Sequence, residues 1–206
     1  NYLNFEYKRT GGIKYQILSN NVGYMYYGDF STGIGEGNLD AVLAYLASSS
    51  ALIIDVRSNG GGYLTNVEKL VGRFITNRMK VGSISHKTGP EHNAFSEPYD
   101  YYFSPTKNRQ HYNKPIVVLC NRGSFSATNN FVSIMKQLPN VTVVGDTTGG
   151  GCGLPFTSEL PNGWSVRFSA AVIRDAEGHI TEFGVEPDIK VNITEADRQA
   201  GHDTIL

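Results

Sequence analysis

The fold of this chain is decided by one stretch, Ala51-Leu52-Ile53-Ile54-Asp55-Val56-Arg57-Ser58-Asn59-Gly60-Gly61-Gly62. Residues 51–56 are almost wholly apolar, as in a strand that is buried on both faces of a sheet. Three glycines follow, and beyond them apolar residues recur at the spacing of one face of a helix. A strand, a glycine loop and a helix in that order predict one unit of an α/β fold. The helical stripe consists of Leu64, Val67, Leu70, Val71 and Phe74.

A second unit of the same kind follows at residues 115–138. Residues 115–120 form an apolar run, residues 121–126 form a polar loop, and a helical stripe then continues until Pro139, which stops a helix. Two such units favour strands that pair in parallel. Because ligands bind at the carboxyl ends of parallel strands, we predict that the two loops meet at a site on that edge of the sheet.

The rest of the chain predicts antiparallel hairpins and one irregular region. Residues 87–112 are rich in Pro, Asn, Ser and aromatic residues and show no period, which is typical of a long functional loop. An extended substrate would add as a strand to a sheet edge near this loop. A further helix is predicted from the stripe Leu39, Val42, Leu43 and Leu46, and further strands are predicted at residues 13–18, 22–27, 81–86, 141–145, 156–160, 164–173 and 186–191.

Composition narrows the class of protein. The 206 residues carry a formal net charge of −1, which gives no electrostatic reason to expect nucleic acid as a partner. No apolar run approaches the ~20 residues of a membrane-spanning helix, so no embedded membrane segment is predicted. Two cysteines are too few for a disulfide-stapled mini-protein or a cysteine-rich zinc site. We predict no metal and no cofactor, and the oligomeric state stays open.

The two loops carry residues that suit acyl transfer. Gly60-Gly61-Gly62 presents backbone N–H groups free of side-chain bulk just before a helix, a place that favours an anion such as a phosphate or an acyl-transfer oxyanion. The stretch lacks the Gly-Lys-Ser/Thr ending of a phosphate-binding loop. Ser126 stands between a buried strand and a helix, where a nucleophile is held rigidly. The structural alternatives are a tight turn for the glycines and a helix cap for Ser126.

Four motifs, in order, resemble those of the C-terminal-processing and tricorn-core serine peptidases. The family patterns DLRxNxGG, NxGSxSA, GxxTxG and GVxPD are similar to residues 55–62, 121–127, 145–150 and 184–188, respectively. The resemblance extends over residues 22–191 and implies a Clp-protease/crotonase-like fold. It also implies that Ser126 is the nucleophile and that the N–H groups of Ala127 and Gly61 form the oxyanion hole.

The resemblance is incomplete at the general base, the residue that must accept the proton of the serine hydroxyl. The processing-peptidase branch uses a lysine, whose matching position here is Gly151. No lysine occurs between Lys136 and Lys190, so the sequence does not support a Ser–Lys dyad.

The tricorn-like branch instead uses an upstream histidine and a glutamate shortly before GVxPD. Glu182 stands one residue closer to that motif than the pattern requires, with Thr181 in the matching place. No histidine precedes His86. The candidate base within the chain is His92, in the irregular region, and the alternatives are a base from sequence preceding Asn1 and an exposed, non-catalytic His92.

These features predict a serine peptidase that hydrolyses peptide bonds through an acyl-enzyme on Ser126, in tail-specific or processing-type proteolysis, with a peptide or protein as substrate. The missing base leaves open a catalytically impaired peptide-binding homologue on the same fold. A crotonase-like acyl-CoA enzyme is a third possibility, for which the sequence shows no basic cluster to hold the adenine and phosphate groups.

Three segments are predicted along the chain. Residues 1–21 are interpreted as an N-terminal extension or linker strand, residues 22–195 as the serine-peptidase core domain, and residues 196–206 as a truncated C-terminal segment. The chain begins without a signal-peptide pattern. The resemblance implies an exported, periplasmic or cell-surface location, and a cytoplasmic location is not excluded.

Overall fold

The computed structural model describes residues 6–205. Its strands are β1 (Lys8–Thr10), β2 (Ile13–Ile17), β3 (Val22–Tyr27), β4 (Ala51–Asp55), β5 (Met79–His86), β6 (Tyr99–Phe103), β7 (Ile116–Cys120), β8 (Val141–Gly145), β9 (Phe156–Glu159), β10 (Ser165–Phe168), β11 (Ala171–Arg174) and β12 (Ile189–Lys190). Its helices are α1 (Glu36–Leu46), α2 (Leu64–Val71), α3 (Ala127–Met135) and α4 (Glu195–Ala200).

The main sheet has seven strands in the order β1-β2-β3-β4-β7-β8-β12. From β3 to β12 neighbouring strands run parallel, whereas β1, β2 and β3 are joined as antiparallel hairpins. Two smaller antiparallel sheets, β11-β5-β6 and β9-β10, complete the fold. The predicted α/β class, with a parallel core and additional antiparallel hairpins, is confirmed.

The register of the parallel strands brings the two predicted loops to one edge. Asp55, the last residue of β4, pairs with Tyr26 of β3 and with Leu119 of β7. The carboxyl ends of these three strands are therefore level with one another. The glycine loop after β4 and the serine loop after β7 both leave the sheet at this edge.

The helical stripes predicted from the sequence lie in the core. Val67, Leu70 and Val71 of α2 and Phe131 and Ile134 of α3 are each fully buried. Burying an aliphatic or aromatic side chain of this kind contributes about 1.5–3 kcal/mol. Because these two helices begin directly after the two loops, their packing also holds the loops in place.

One predicted strand, residues 164–173, is two strands in the structure. β10 pairs with β9, whereas β11 pairs with β5 in another sheet. Between them the N–H groups of Ala170 and Ala171 both donate to the carbonyl of Gly153, at 2.8 and 2.9 Å. This shared acceptor turns the chain from one sheet to the other, so the prediction of one continuous strand is wrong.

The region predicted to be irregular, residues 87–112, contains the strand β6. It pairs with β5 and forms the edge of its sheet. Most of its residues are exposed, which is why no alternation of apolar and polar residues marks it in the sequence.

The last described residues return to the end of β4. Arg57 donates to Asp203 at 2.5 Å and to Asp55 at 2.9 Å. Arg57 and Asp203 are almost buried, and removing one partner of such a pair typically costs about 3–5 kcal/mol. The ion pair between Arg57 and Asp203 therefore holds the C-terminal segment beside the glycine loop.

The predicted segment boundaries fall within connected elements. The boundary at residues 21/22 lies between the paired strands β2 and β3, and the boundary at residues 195/196 lies inside α4. The division into three segments stays a prediction. Within residues 6–205, every helix is too short or too polar to span a bilayer.

Candidate active site

Ser126 lies at the turn between β7 and α3. Its φ of 57° and ψ of −120° are strained for a residue other than glycine, at a cost of about 1–3 kcal/mol that is met mostly at functional sites. The N–H of Ser126 donates to the Gly150 carbonyl at 2.7 Å. Ser126 occupies the N-cap position of α3, yet its side chain makes no capping hydrogen bond. The helix-cap alternative is therefore not supported.

The glycine loop touches this turn directly. A Cβ atom on Gly61 would lie 2.7 Å from the Ser126 Cβ and 3.0 Å from the Ala127 nitrogen. A Cβ atom on Gly62 would lie 2.2 Å from the carbonyl carbon of Phe30. Both glycines also have positive φ angles, 99° and 143°, which other residues rarely adopt. The two loops, far apart in sequence, therefore meet closely only because these positions are glycine.

Backbone N–H groups of both loops lack acceptors within residues 6–205. One belongs to Ala127, the first residue of α3, whose N–H has no partner inside the helix. In the glycine loop the N–H groups of Gly60 and Gly62 are both without an acceptor among the described residues, and of these two residues only Gly62 lines both clefts at Ser126. The Phe30 N–H donates to the Gly61 carbonyl and the Tyr63 N–H donates to the Phe30 carbonyl, at 2.8 and 3.1 Å. In a parallel bridge of this kind the Gly62 N–H points away from Phe30.

Gly61, which the resemblance implies as an oxyanion donor, has its N–H engaged. That N–H donates to Oδ1 of Asn59 at 3.0 Å, within a buried turn. The arrangement does not support Gly61 as the donor and favours the neighbouring Gly62. A motif identifies the loop but does not show which of its three amides a nearby side chain already uses.

Asn59 connects three parts of the site. The side chain is fully buried, and its Nδ2 donates to the Tyr27 carbonyl at 2.9 Å. Its Oδ1 accepts from the Gly61 N–H and from the Thr128 hydroxyl, the latter at 2.6 Å. Tyr27 ends β3 and Thr128 lies in the first turn of α3. One side chain therefore fixes the glycine loop relative to the helix that follows Ser126.

Two clefts open at Ser126. The larger has a volume of about 630 Å³ and is lined by the glycine loop, by Arg167 of β10 and by two carboxylates, Asp29 and Glu182. The smaller has a volume of about 270 Å³ and shares Ser126 and Arg167 with the larger one. A groove with the hydroxyl at its junction suits an extended ligand whose reacting group lies at Ser126.

Glu182 is placed in the same cleft as Ser126. Burial raises the pKa of its carboxyl group above the ordinary glutamate value, and a hydrogen bond with the backbone of Cys152 opposes the rise. The Gly151 N–H donates to the Glu182 carbonyl at 3.0 Å, which joins this segment to the loop after β8. A cleft carboxyl group with a raised pKa is typical of acid–base sites.

The raised pKa of Glu182 predicts a pH dependence of stability. Since the folded state holds this proton more tightly than the unfolded state does, the contribution is present below the ordinary value of about 4.3. It is lost as the pH rises through the raised pKa. We expect the unfolding free energy of the wild type, minus that of Glu182→Gln, to fall over this interval. Denaturant titrations from pH 4 to 7 measure the difference, and a difference that rises with pH contradicts the placement.

His92 is not brought to Ser126. It lies in an exposed turn after β5, where Lys87 Nζ donates to its carbonyl at 3.0 Å, and it lines neither cleft. No residue of 87–112 lines either cleft, although the Tyr101 hydroxyl accepts a hydrogen bond from Asn130, which lines the smaller cleft, at 2.9 Å. His92 as the base is therefore not supported by its position.

A lysine at the Gly151 position would be strained by the backbone and would require the exposed Phe125 ring to move. Gly151 has a φ of 78°, and a Cβ atom there would lie 2.1 Å from Cζ of Phe125. Across the described part of the chain, neither a lysine nor a histidine lines the two clefts. The structure thus agrees with the sequence that a Ser–Lys dyad is absent at this position.

The sequence analysis assigns no site role to several residues found there, among them Asp29, Asn59, Asn130 and Arg167. Asp29 follows the parallel strand β3, so the rule that pointed to the loops after β4 and β7 also points to it. Asn59 lies inside the first motif, residues 55–62, but the motif does not show which groups its side chain contacts. Arg167 reaches the clefts from a hairpin whose position no sequence pattern predicts.

A strained serine beside free backbone amides, on this fold, is the arrangement that a serine hydrolase with an oxyanion hole requires. The family model of peptidase family S41 matches residues 21–191. The chain therefore belongs to peptidase family S41, as its motifs predicted.

Comparison with individual proteins places the chain within that family. It is 26% identical over 178 residues to the carboxy-terminal processing protease CtpB of Bacillus subtilis, covering 85% of this chain and 35% of CtpB. A crystal structure from Parabacteroides merdae, provisionally assigned as a peptidase, is 50% identical with a TM-score of 0.94, covering 99% of this chain and 65% of that one. The photosystem II D1 C-terminal processing protease shares the fold, with 22% identity and a TM-score of 0.65 over 86% of this chain and 45% of its own. The chain thus spans about a third of CtpB.

Proposed function

We propose that this protein is a serine peptidase of the processing type, in which Ser126 attacks a peptide carbonyl. The Ser126 Oγ–carbon bond forms, the N–H groups of Ala127 and Gly62 stabilise the oxyanion, and the amine leaves with a proton. Water then hydrolyses the acyl-enzyme. The observation that carries the proposal is the contact between the Ser126 turn and the glycine loop, with free amides on both sides.

Glu182 orients the base in this proposal, as the glutamate of the tricorn-like pattern does. Two observations support this role: Glu182 lines the same cleft as Ser126, and burial raises the pKa of its carboxyl group. Among residues 6–205, neither cleft is lined by a histidine or a lysine, so the proposal names no general base. The substrate is a peptide or protein, and an exported or cell-surface location is part of the same proposal.

A fluorophosphonate probe tests the proposal. Its phosphorus bonds to the Ser126 Oγ as fluoride leaves, and mass spectrometry of the digested protein locates the label. We expect the label on Ser126 and none on Ser126→Ala. A folded protein that stays unlabelled, yet binds peptides equally well with and without the hydroxyl, is a peptide-binding homologue and contradicts the proposal.

Asn59→Ala is expected to impair both stability and catalysis. The substitution leaves the Tyr27 carbonyl, the Gly61 N–H and the Thr128 hydroxyl without their partner, at a cost of about 2–4 kcal/mol. Because the glycine loop is then no longer fixed, kcat should fall at least about tenfold with a smaller change in KM. Denaturant unfolding and peptide-hydrolysis kinetics measure the two effects.

Thr128→Val is the graded control for Asn59. It removes only the hydrogen bond between α3 and Asn59 and keeps the shape of the side chain. We expect Thr128→Val to lower both the unfolding free energy and kcat, each by less than Asn59→Ala does. A folded Asn59→Ala variant with the wild-type kcat shows that Asn59 does not position the loop.

A further inference from the structure

Glu182 lies in a short turn that is held mainly by hydrogen bonds. The Gly184 N–H donates to the Thr181 carbonyl at 3.2 Å, which closes the turn around Glu182. The Gly151 N–H donates to the Glu182 carbonyl at 3.0 Å. The side chain of Phe183, between Glu182 and Gly184, is 83% exposed and adds little apolar packing. The place of the Glu182 carboxyl group in the cleft is therefore set by the polar contacts of this turn.

One buried side chain, that of Asn129, is connected to the chain on both sides of Glu182. Its Nδ2 donates at 3.0 Å to the carbonyl of Thr181, the residue that precedes Glu182. Its Oδ1 accepts from the Thr148 hydroxyl, and that hydroxyl accepts from the Val185 N–H at 2.7 Å. Asn129 thus holds the chain before Glu182 directly and the chain after it through Thr148.

Asn129 also has a fixed place relative to the nucleophile. It is the third residue after Ser126 and lies in α3, whose side chains Phe131 and Ile134 are fully buried. Its amide donates a second hydrogen bond to Cys152 Sγ, at 2.9 Å, and a buried amide with all its groups satisfied is rigid. Asn129 lines neither cleft. Its side chain therefore connects the helix that begins after Ser126 to the turn of Glu182 without a place for substrate contact.

We propose that Asn129 is a positioning residue of the active site, which keeps the Glu182 carboxyl group at a fixed place relative to the Ser126 hydroxyl. This inference rests on the proposed peptidase function, in which Glu182 orients the base. A misplacement of about 1 Å in an active-site group can cost about 10²-fold in rate, so a residue that acts only through Glu182 has a measurable effect. Loss of Asn129 should then matter only while Glu182 keeps its carboxylate.

A double-mutant cycle on the labelling of Ser126 by the fluorophosphonate tests this dependence. We expect Asn129→Leu to lower the labelling rate constant about tenfold in the otherwise wild-type protein. In the Glu182→Gln background the same substitution should change the rate constant less than about twofold, because the carboxylate that Asn129 positions is absent. Equal effects in the two backgrounds overturn the proposal, since Asn129 then acts on the site independently of Glu182.

Thr148→Val tests the connection on the other side of Glu182 and keeps Asn129 itself. It removes the hydroxyl between Asn129 and the Val185 N–H, whereas Thr148→Ser keeps a hydroxyl there. We expect Thr148→Val to lower the labelling rate constant with the same dependence on Glu182, and Thr148→Ser to be labelled at close to the wild-type rate. If Asn129→Leu does not fold, these two variants decide the question. A folded Thr148→Val protein that is labelled at the wild-type rate overturns the proposal.

Peptide-hydrolysis kinetics separate positioning from substrate binding. Asn129→Leu should lower kcat about tenfold and leave KM within about twofold of the wild-type value, because Asn129 lines neither cleft. A raised KM with the wild-type kcat overturns the proposal.

Asn66→Leu is the matched control for the loss of a buried helical asparagine. Asn66 lies in α2, and its Nδ2 donates to the Phe30 carbonyl at 2.8 Å, away from the turn of Glu182. Its effect on the labelling rate constant should be the same in the wild-type and Glu182→Gln backgrounds. If Asn66→Leu depends on Glu182 as strongly as Asn129→Leu does, the coupling is not specific to Asn129 and the proposal is overturned.

The wild-type and Glu182→Gln proteins distinguish this proposal from the proposed function. Equal labelling rates in the two proteins refute the role of Glu182 and with it that of Asn129, and they leave Ser126 as the nucleophile. A folded wild-type protein that takes no label refutes both.

Discussion

Ser126→Ala is expected to lower kcat/KM for peptide hydrolysis by about 10⁴-fold or more, with little change in the unfolding free energy. The hydroxyl is the proposed nucleophile, and loss of a serine nucleophile typically removes all but the residual catalysis of binding and the oxyanion hole. The neighbouring thiol does not substitute for it, because Cys152 is 4% exposed and burial raises its pKa. Stability is spared because the Ser126 hydroxyl makes no capping bond to lose.

Peptide-hydrolysis kinetics on the purified variant check this result, and Ser48→Ala is the matched control. Ser48 is exposed and lines neither cleft, so its alanine variant should keep the wild-type rate. Full activity in Ser126→Ala would assign the chemistry to another residue.

Gly62→Ala is expected to lower kcat by about 10²–10³-fold and to destabilise the fold by about 2 kcal/mol or more. A Cβ atom at Gly62 would lie 2.2 Å from the Phe30 carbonyl carbon and from the Ser31 nitrogen, and both are backbone atoms that cannot rotate away. The φ of 143° is also unfavourable for alanine. The loop must therefore shift, and the proposed oxyanion donor shifts with it.

Gly60→Ala is the matched control in the same loop. A Cβ atom there would meet nothing within 4 Å, and its φ lies outside the left-handed region. We expect a change in kcat of less than about threefold and an almost unchanged unfolding midpoint. If Gly60→Ala and Gly62→Ala change kcat and the unfolding midpoint equally, the loop does not depend on the geometry of Gly62.

The sequence predicted the parallel core because each central strand is a continuous apolar run with a helical stripe behind it. Residues 51–56 and 115–120 needed no tertiary information to be recognised, and the burial of Val67 and Phe131 follows from the period of their helices. The strand break at Ala170 could not be predicted, since it depends on the carbonyl of Gly153, 17 residues earlier in the chain. The edge strand β6 carries no periodic signal because most of it is exposed.

The candidate active site likewise has a part that the sequence predicts and a part that it does not. Ser126 and the glycine loop follow from local order along the chain, because the carboxyl ends of parallel strands meet. The choice between Gly61 and Gly62 depends on the side chain of Asn59, and the place of His92 depends on the path of the chain after β5. Both are tertiary facts that a motif does not contain.

The most direct measurement is a crystal structure of the protein with a peptide boronate, whose boron forms a tetrahedral adduct with a nucleophilic oxygen. We expect boron bonded to the Ser126 Oγ, with one boronate oxygen about 2.7–3.1 Å from the nitrogens of both Gly62 and Ala127. Boron bonded to another residue, or a boronate oxygen that contacts neither amide, would contradict the account.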